Sequence, residues 1–281
     1  MYKPTLAVLG AGLMGIGIAC HFARHGHRVR LYDTDPSRLA EVPAVAAAIL
    51  HELQESGQFD VVHQQAVLAR LAGTTSLSDL AESTLLIEAI PERLPLKHAL
   101  YAQLETLIAD DAIIASNTSG LPPDSLAAGM RHPQRLLIAH FWHPPHFIPL
   151  VEVVLQRAAP GFVGNRLQFA LLREALHIVH SGIASPEVVD RVMRASLGRR
   201  YAMVGPLEAA DMTGLATVLD ICQHLLPELA GDAQMMELVA EKVARGETGA
   251  RGGQGFYRWD TARMARIQSR RQHLLRYALK P

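Results

Sequence analysis

The 281-residue chain has few cysteines, few aromatic residues (5%) and no surplus of either charge. Its two cysteines, Cys20 and Cys222, lie in apolar, helix-spaced surroundings, which excludes a disulfide framework and favours a reducing cytoplasm. Its 27 Lys and Arg balance 27 Asp and Glu, so neither a nucleic-acid nor a membrane-surface partner is expected. No apolar run approaches the roughly 18 residues of a membrane span, and residues 1–4 lead into a predicted strand without a signal peptide.

Apolar residues make up 49% of the chain, which is enough to build ordinary cores, and the length of the chain predicts about two domains. Short apolar strands alternate with helix-spaced segments up to residue 155, which indicates an α/β, Rossmann-type, doubly wound and mostly parallel sheet. Only helices are predicted from Gly161 onward. We therefore expect a nucleotide-binding domain over residues 1–160 and an all-helical domain over residues 161–281, joined near residues 158–161.

The individual elements follow from apolar periodicity and from glycine and proline punctuation. The predicted strands are 5–10, 28–32, 84–88, 112–115, 136–139 and 150–155. The first predicted helix follows the first strand and ends at residue 23. The other predicted helices are 36–57, 61–71, 95–109, 162–180, 186–197, 206–229, 233–245 and 261–279.

A glycine-rich turn links the first predicted strand to the first helix. Gly10 allows the tight turn, Gly12 lets the backbone approach a pyrophosphate, and Gly15 permits close packing of helix on strand. A glycine turn in a nucleotide-free α/β unit is the alternative, and the next strand argues against it. That strand ends in Asp33, whose carboxylate can accept the ribose hydroxyls. Acidic Asp35 follows closely, and no arginine follows at once, so NAD is favoured over NADP.

A histidine and a carboxylate, His140 and Glu152, lie twelve residues apart on two predicted neighbouring strands. Histidine titrates near neutral pH, and a carboxylate behind it fixes the tautomer and stabilises the imidazolium, so the pair is typical of a general base with its orienting group. A satisfied or solvated histidine is the ordinary alternative in a chain with 14 of them. His143 and His146 follow in a proline-rich loop without a cysteine or carboxylate cluster, so no metal site is predicted.

Several motifs, in order along the chain, resemble those of the 3-hydroxyacyl-CoA dehydrogenase superfamily. Besides the glycine turn they are EAIPE at 88–92, SNTS at 116–119, HF at 140–141, LVEV at 150–153, GFVGNRL at 161–167, GP at 205–206 with Asp211, GL at 214–215, and GFY at 255–257. Within the superfamily, residues 144–152, 200–202 and 205–208 and the arginine-rich last helix resemble the λ-crystallin and L-gulonate 3-dehydrogenase branch, which oxidises a free 3-hydroxy acid.

The resemblance implies an NAD-dependent oxidoreductase that converts the 3-hydroxyl of a 3-hydroxy acid or 3-hydroxyacyl-CoA to a ketone by hydride transfer. It implies His140 as the catalytic base, Glu152 as its partner, and Ser119 and Asn165 as the groups that hold the reacting oxygen. It further implies a homodimer formed through the helical domain. The NAD-binding residues that it implies are Gly10, Gly12, Leu13, Met14, Gly15, Asp33, Glu92 and Asn117. From residue type alone, Ser119 and Asn165 are more readily interpreted as helix caps.

The acyl group's carrier is left open by the residues. Coenzyme A carries phosphates that favour lysine or arginine, yet Arg70 is the single such residue between Leu39 and Gly73, which weakens the CoA interpretation. Arg200, beside Arg199, can instead hold a free carboxylate bidentately. Both arginines could equally be solvated or cap a helix end.

The final predicted helix is basic and has no acidic residue. Its cations are Arg263, Arg266, Arg270, Arg271, Arg276 and Lys280. A basic helix can bind nucleic acid, but no aromatic platform or nucleic-acid motif accompanies it. We therefore expect a solvated cationic face on a helix packed against the helical domain, at a dimer seam.

The connection from Glu152 to Asn165 is shorter than the family's, which inserts a helix and a further strand there. This departure motivates a second hypothesis, an NAD-binding protein with little or no dehydrogenase activity and a structural or regulatory role. The presence of His140, Glu152, Ser119 and Asn165 together argues against loss of the site.

Overall fold

A computed structural model describes residues 5–148, 150–153, 160–231 and 234–278. The predicted strand end at 154–155, the first half of the predicted junction at 158–161, and Lys280 lie outside the described residues. Within the described residues, no helix combines the length and the apolar character needed to cross a bilayer.

The first half of the chain builds one seven-stranded sheet in the order β3-β2-β1-β4-β5-β6-β7. Its strands are β1 Leu6–Leu9, β2 Val29–Tyr32, β3 Leu71–Thr74, β4 Leu85–Glu88, β5 Ile113–Ser116, β6 Leu136–Phe141 and β7 Val151–Val153. Neighbours from β3 to β6 are parallel, and β7 alone pairs antiparallel, with His140 opposite Glu152. The predicted Rossmann-type doubly wound sheet is confirmed.

Helices cover the sheet and make up the second half of the chain. Those before the last strand are α1 Leu13–Arg24, α2 Pro36–Glu55, α3 Gln64–Leu68, α4 Leu94–Leu104 and α5 Pro123–Ala127. Those after it are α6 Gly164–His180, α7 Pro186–Ala195, α8 Leu197–Arg200, α9 Pro206–Thr213, α10 Leu215–Leu225, α11 Gln234–Ala244 and α12 Thr261–Ala278.

The central strands are buried because helices pack on both faces of the sheet. Every residue of β1 is buried, and its side chains alternate between two cores: Leu6 and Val8 join one apolar cluster, and Ala7 and Leu9 join the other. Two continuous cores therefore hold the carboxyl ends of β1 and β2 rigidly at one edge.

Three sequence predictions about individual elements are wrong. Strand β3 was not predicted, because its sequence LAGT is short, contains a glycine and is only half-buried. The predicted helix over 206–229 is divided at Gly214, whose φ of 92° ends α9. The predicted helix over 61–71 is a 3-10 turn followed by the five-residue α3.

The chain divides into two compact units by its internal contacts. One comprises the described residues of 1–165 with those of 267–281, and the other comprises residues 166–266. The division lies five residues after the predicted boundary at 160, and the end of α12 groups with the first unit, not with the helical unit on which we expected it to pack.

Candidate active site

The glycine turn after β1 is shaped by close backbone contacts. Gly10 has a φ of 105°, and a Cβ on it would lie 2.7 Å from the carbonyl oxygen of Ala89. A Cβ on Gly15 would lie 1.8 Å from the carbonyl oxygen of Gly10, so α1 can approach the strand only with glycine there. A Cβ on Gly12 would meet no atom within 4 Å, which leaves the backbone open to a ligand. Gly10 and Gly15 therefore have the backbone roles that the sequence predicts, and the approach of Gly12 to a pyrophosphate stays a prediction.

Asp33 closes the other side of the turn. It is buried at the end of β2, and its Oδ2 accepts a 2.7 Å hydrogen bond from the backbone N–H of Ala11. Its Oδ1 accepts from the N–H of Asp35 at 3.0 Å. Arg38, in the first turn of α2, was not predicted to contribute here; its guanidinium lies 3.9 Å from the Asp33 carboxylate and 3.7 Å from that of Asp35. Arg38 is therefore paired with these two carboxylates.

A cavity of about 670 Å³ opens beside the turn and Asp33. Its lining includes Gly10, Gly12, Leu13, Met14 and Asp33 from the predicted cofactor set, with Tyr32, Ile90, Leu96 and Leu100 as apolar walls. An open glycine backbone, a carboxylate at the end of β2 and apolar walls fit a dinucleotide. Gly15 lies beneath the turn.

His140 and Glu152 meet across the β6–β7 pair. The Nδ1 atom of His140 lies 2.9 Å from Oε2 of Glu152, and both side chains are largely buried, 8% and 13% exposed. Because a carboxylate accepts, this geometry assigns the proton to Nδ1 and leaves the Nε2 lone pair to take a proton from a substrate.

Three donors hold the Glu152 carboxylate. The Trp142 indole N–H donates to Oε2 at 2.9 Å, and the Gly164 backbone N–H donates to Oε1 at 2.9 Å, in addition to His140. Desolvation acts to raise the pKa of Glu152, but the hydrogen bonds from His140, Gly164 and Trp142 outweigh it and lower that pKa below its ordinary value. Glu152 is thus held as an anion facing the histidine.

Ser119 and Asn165 lie together. The Asn165 side-chain amide donates to the backbone carbonyl of Ser119 at 2.8 Å. Asn165 directly follows Gly164, whose N–H donates to Glu152, so one peptide bond links the two halves of the predicted catalytic set. Neither residue caps a helix through its side chain; Ser119 precedes a turn, and Asn165 lies in the first turn of α6.

Glu92 contacts the Ser119 turn and is not part of the cavity lining. Its Oε1 accepts from the hydroxyl of Thr118 and from the N–H groups of Ser119 and Gly120, at 3.0 and 3.2 Å for the latter two. Its Oε2 lies 3.3 Å from Nζ of Lys97. Burial acts to raise the pKa of Glu92, but the Thr118 hydroxyl and Lys97 together outweigh it, so the pKa is lowered below its ordinary value.

Asn117, which like Gly15 and Glu92 is not part of the cavity lining, ties two strands together. Its side-chain oxygen accepts from the N–H of Phe141 at 2.8 Å, and its own N–H donates to the carbonyl of Glu88 at 2.7 Å. It therefore fixes the strand end that carries His140.

A buried ionic network beneath the site was not predicted. Glu88, with no solvent exposure, accepts from Lys97 at 2.6 Å, Tyr101 at 2.7 Å and Ser116 at 2.6 Å, and from the N–H of Ile90 at 2.9 Å. Burial, followed by the nearby Glu88 carboxylate, raises the pKa of Tyr101. The EAIPE motif marked Glu88, but Lys97 and Tyr101 come from α4, and no pattern links them to it.

Arg200, predicted to bind substrate, ends α8 in the helical unit. Its guanidinium lies 5.2 Å from the centroid of the Tyr201 ring. Arg263 in α12 stacks on Tyr257 at 3.8 Å.

Comparisons with known proteins agree with this architecture. Residues 5–170 match the family model "3-hydroxyacyl-CoA dehydrogenase, NAD binding domain", and residues 161–259 match the model of the family's C-terminal domain. The glycine turn, Asp33 and the doubly wound sheet define an NAD-binding dehydrogenase. The chain belongs to the 3-hydroxyacyl-CoA dehydrogenase family, and NAD is its cofactor.

Individual relatives differ in what they act on. Lambda-crystallin of Oryctolagus cuniculus is 34% identical over 233 residues, 73% of each chain. A protein of Deinococcus radiodurans named "Probable 3-hydroxybutyryl-CoA dehydrogenase" is 34% identical over 278 residues, 90% of this chain and 99% of that one.

The 5-formyl-3-hydroxy-2-methylpyridine 4-carboxylate 5-dehydrogenase of Mesorhizobium japonicum is 29% identical and covers 96% of each chain. A solved structure of an enzyme of that name, described as an NAD⁺-dependent dismutase, has a TM-score of 0.87 at 28% identity and covers 98% of this chain and 96% of that one. The resemblance to the family and to λ-crystallin is thereby confirmed, whereas the roles of the individual site residues stay predictions.

Proposed function

We propose that the protein oxidises the 3-hydroxyl group of a small free 3-hydroxy acid to a ketone, with NAD as acceptor. The observation that carries the chemistry is the 2.9 Å contact between His140 and Glu152, both largely buried. A protein without turnover has no need of a buried, oriented histidine, so this observation favours an enzyme over a structural NAD-binding protein.

The chain's own residues supply the proton chemistry. His140 Nε2 accepts the hydroxyl proton while Glu152 stabilises the imidazolium that forms. Ser119 and Asn165 hydrogen-bond the oxygen as it becomes a carbonyl. NAD, when bound, accepts the hydride from the carbinol carbon.

The free-acid substrate class is supported by charge around α2 and α3. Arg38 contacts Asp33 and Asp35, and Arg70 donates to the carbonyl of Ala23 at 3.2 Å. Arg70 precedes β3, at the end of the strands opposite the glycine turn. These arginines are therefore poorly placed for CoA phosphates, and the substrate in the Mesorhizobium enzyme's name carries a free carboxylate group.

A turnover screen of the purified protein with NAD tests the proposal. Free 3-hydroxy acids, including L-gulonate, form one arm, and L-3-hydroxybutyryl-CoA forms the other. We expect kcat/KM to be higher in the free-acid arm. Efficient turnover of the CoA thioester alone would assign the chain to the acyl-CoA enzymes, and no turnover in either arm would favour the structural role.

We also propose that the protein is a homodimer formed through its helical unit. Large apolar side chains are exposed there, with Leu207 82%, Met203 78% and Met212 78% exposed, and such surfaces mark interaction sites. Light scattering of the purified protein gives the mass, and a 30.7 kDa particle would contradict a dimer.

A further inference from the structure

The oxygen of Glu152 that faces His140 has a second donor. Oε2 accepts from Nδ1 of His140 and from the indole N–H of Trp142, each at 2.9 Å, while Oε1 accepts from the N–H of Gly164. One carboxylate oxygen is therefore shared between the predicted base and a neutral donor. The carboxylate cannot rotate without breaking at least one of these bonds.

The chain makes room for the indole at this place. A Cβ on Gly164 would lie 2.0 Å from Cζ2 of Trp142 and 3.0 Å from Oε2 of Glu152, so any other residue at 164 would displace the ring or the carboxylate. The centroid of the His140 ring lies 5.9 Å from that of Trp142 and 5.8 Å from that of Phe162. Packing of the indole against the His140 ring does not by itself require the indole N–H to donate to Glu152.

We propose that Trp142 is a positioning residue of the catalytic pair: its indole N–H fixes Oε2 of Glu152 and takes part of the negative charge that Glu152 would otherwise offer to His140. This inference rests on the proposed function, in which His140 is the base. Its consequence is a weaker counter-charge for the imidazolium that forms when His140 takes a proton.

Few of the described groups other than Glu152 can influence the protonation of His140. Among the described residues, the charged or titratable partner of His140 is Glu152 on β7, and the remaining contacts of the pair are neutral: the indole of Trp142 on the β6 side, the ring of Phe162 and the N–H of Gly164 at the start of α6. A change at Trp142 therefore acts on His140 through Glu152.

Trp142→Phe removes the N–H and retains an aromatic ring. Trp259→Phe is the matched control, because Trp259 is the chain's other tryptophan and belongs to the other compact unit. The first measurement is an NMR titration of the His140 ring in protein without substrate, with the resonance assigned by its loss in His140→Gln. We expect the midpoint to move upward by about 0.3 to 1 pH unit in Trp142→Phe, the range for one hydrogen bond, and to stay in place in Trp259→Phe.

A shape-preserving replacement guards against a packing effect. In the Trp259→Phe background, incorporation of β-(3-benzothienyl)alanine at position 142 removes the N–H and keeps the bicyclic ring. The same upward shift is expected. In Glu152→Gln, Trp142→Phe is expected to produce no shift, because the shared carboxylate is gone.

An unchanged or lowered midpoint in both N–H-deleted proteins would overturn the proposal. Turnover separates this inference from the proposed function: the acidic limb of the kcat/KM profile should move with the NMR midpoint. If the midpoint moves and the limb does not, Trp142 positions the pair but His140 is not the base.

Discussion

The side-chain amide of Asn165 donates a hydrogen bond of 2.8 Å to the backbone carbonyl of Ser119. These residues are 46 positions apart, and the bond places the start of α6 against the turn that follows β5. Glu92 holds the same turn through the N–H groups of Ser119 and Gly120. The turn is therefore fixed from two sides before a substrate arrives.

Asn165→Asp should lower kcat by roughly 10²- to 10³-fold, the loss expected when one donor to a developing oxyanion is removed. The carboxylate cannot donate to Ser119 or to the substrate oxygen. Steady-state kinetics give kcat, and NADH binding serves as the control because Asn165 is not part of the cavity lining. Wild-type kcat in this variant would remove Asn165 from the site.

His140→Gln should lower kcat by roughly 10²- to 10⁴-fold with NAD affinity nearly unchanged, because glutamine cannot act as a base. His143→Gln is a matched control, since His143 is exposed and lies three residues further along. Equal rates for His140→Gln and wild type on the best substrate would show that the base is wrongly assigned.

Asp33 should make the protein bind NADH more tightly than NADPH, because a 2′-phosphate would meet the carboxylates of Asp33 and Asp35. Arg38 is already engaged by both carboxylates. Asp33→Ser should narrow the difference between the two dissociation constants, measured by fluorescence titration. Equal constants in the wild type would contradict this account of the end of β2.

Glu152 should stabilise the fold at neutral pH and lose that effect in acid. Its pKa is lowered in the folded protein, so its contribution is present above the ordinary glutamate value of about 4.3 and disappears as pH falls through the lowered pKa. The unfolding free energies of wild type and Glu152→Gln, from urea titrations, should therefore converge below about pH 4. A difference that stays constant down to pH 3 would contradict the shift.

Lys97→Met should destabilise the protein by about 3 to 5 kcal/mol, because it leaves the fully buried Glu88 without its cation. Adding Glu88→Gln should recover part of this loss, since the uncompensated charge is then removed. Urea denaturation of both variants provides the test, and additive losses would mean that the two residues are energetically independent.

Local sequence determined much of this protein. The glycine turn needs no tertiary information, because only glycine adopts the φ of Gly10 and permits the approach of α1 at Gly15. Apolar periodicity located most strands and helices, because burial of one or both faces of an element sets the spacing of its apolar residues. The pairing of His140 with Glu152 followed from two adjacent strands joined by a short loop, which leaves few possible registers.

Other features were decided only by the tertiary structure. Lys97 is a surface residue by its sequence, and it is buried because β4 and α4 bring two carboxylates to it. Trp142 has no recognisable polar role until β7 supplies Glu152 and Gly164 leaves space for the indole. Hydrogen bonds between side chains distant along the chain depend on distances that packing sets, and no periodicity encodes those distances.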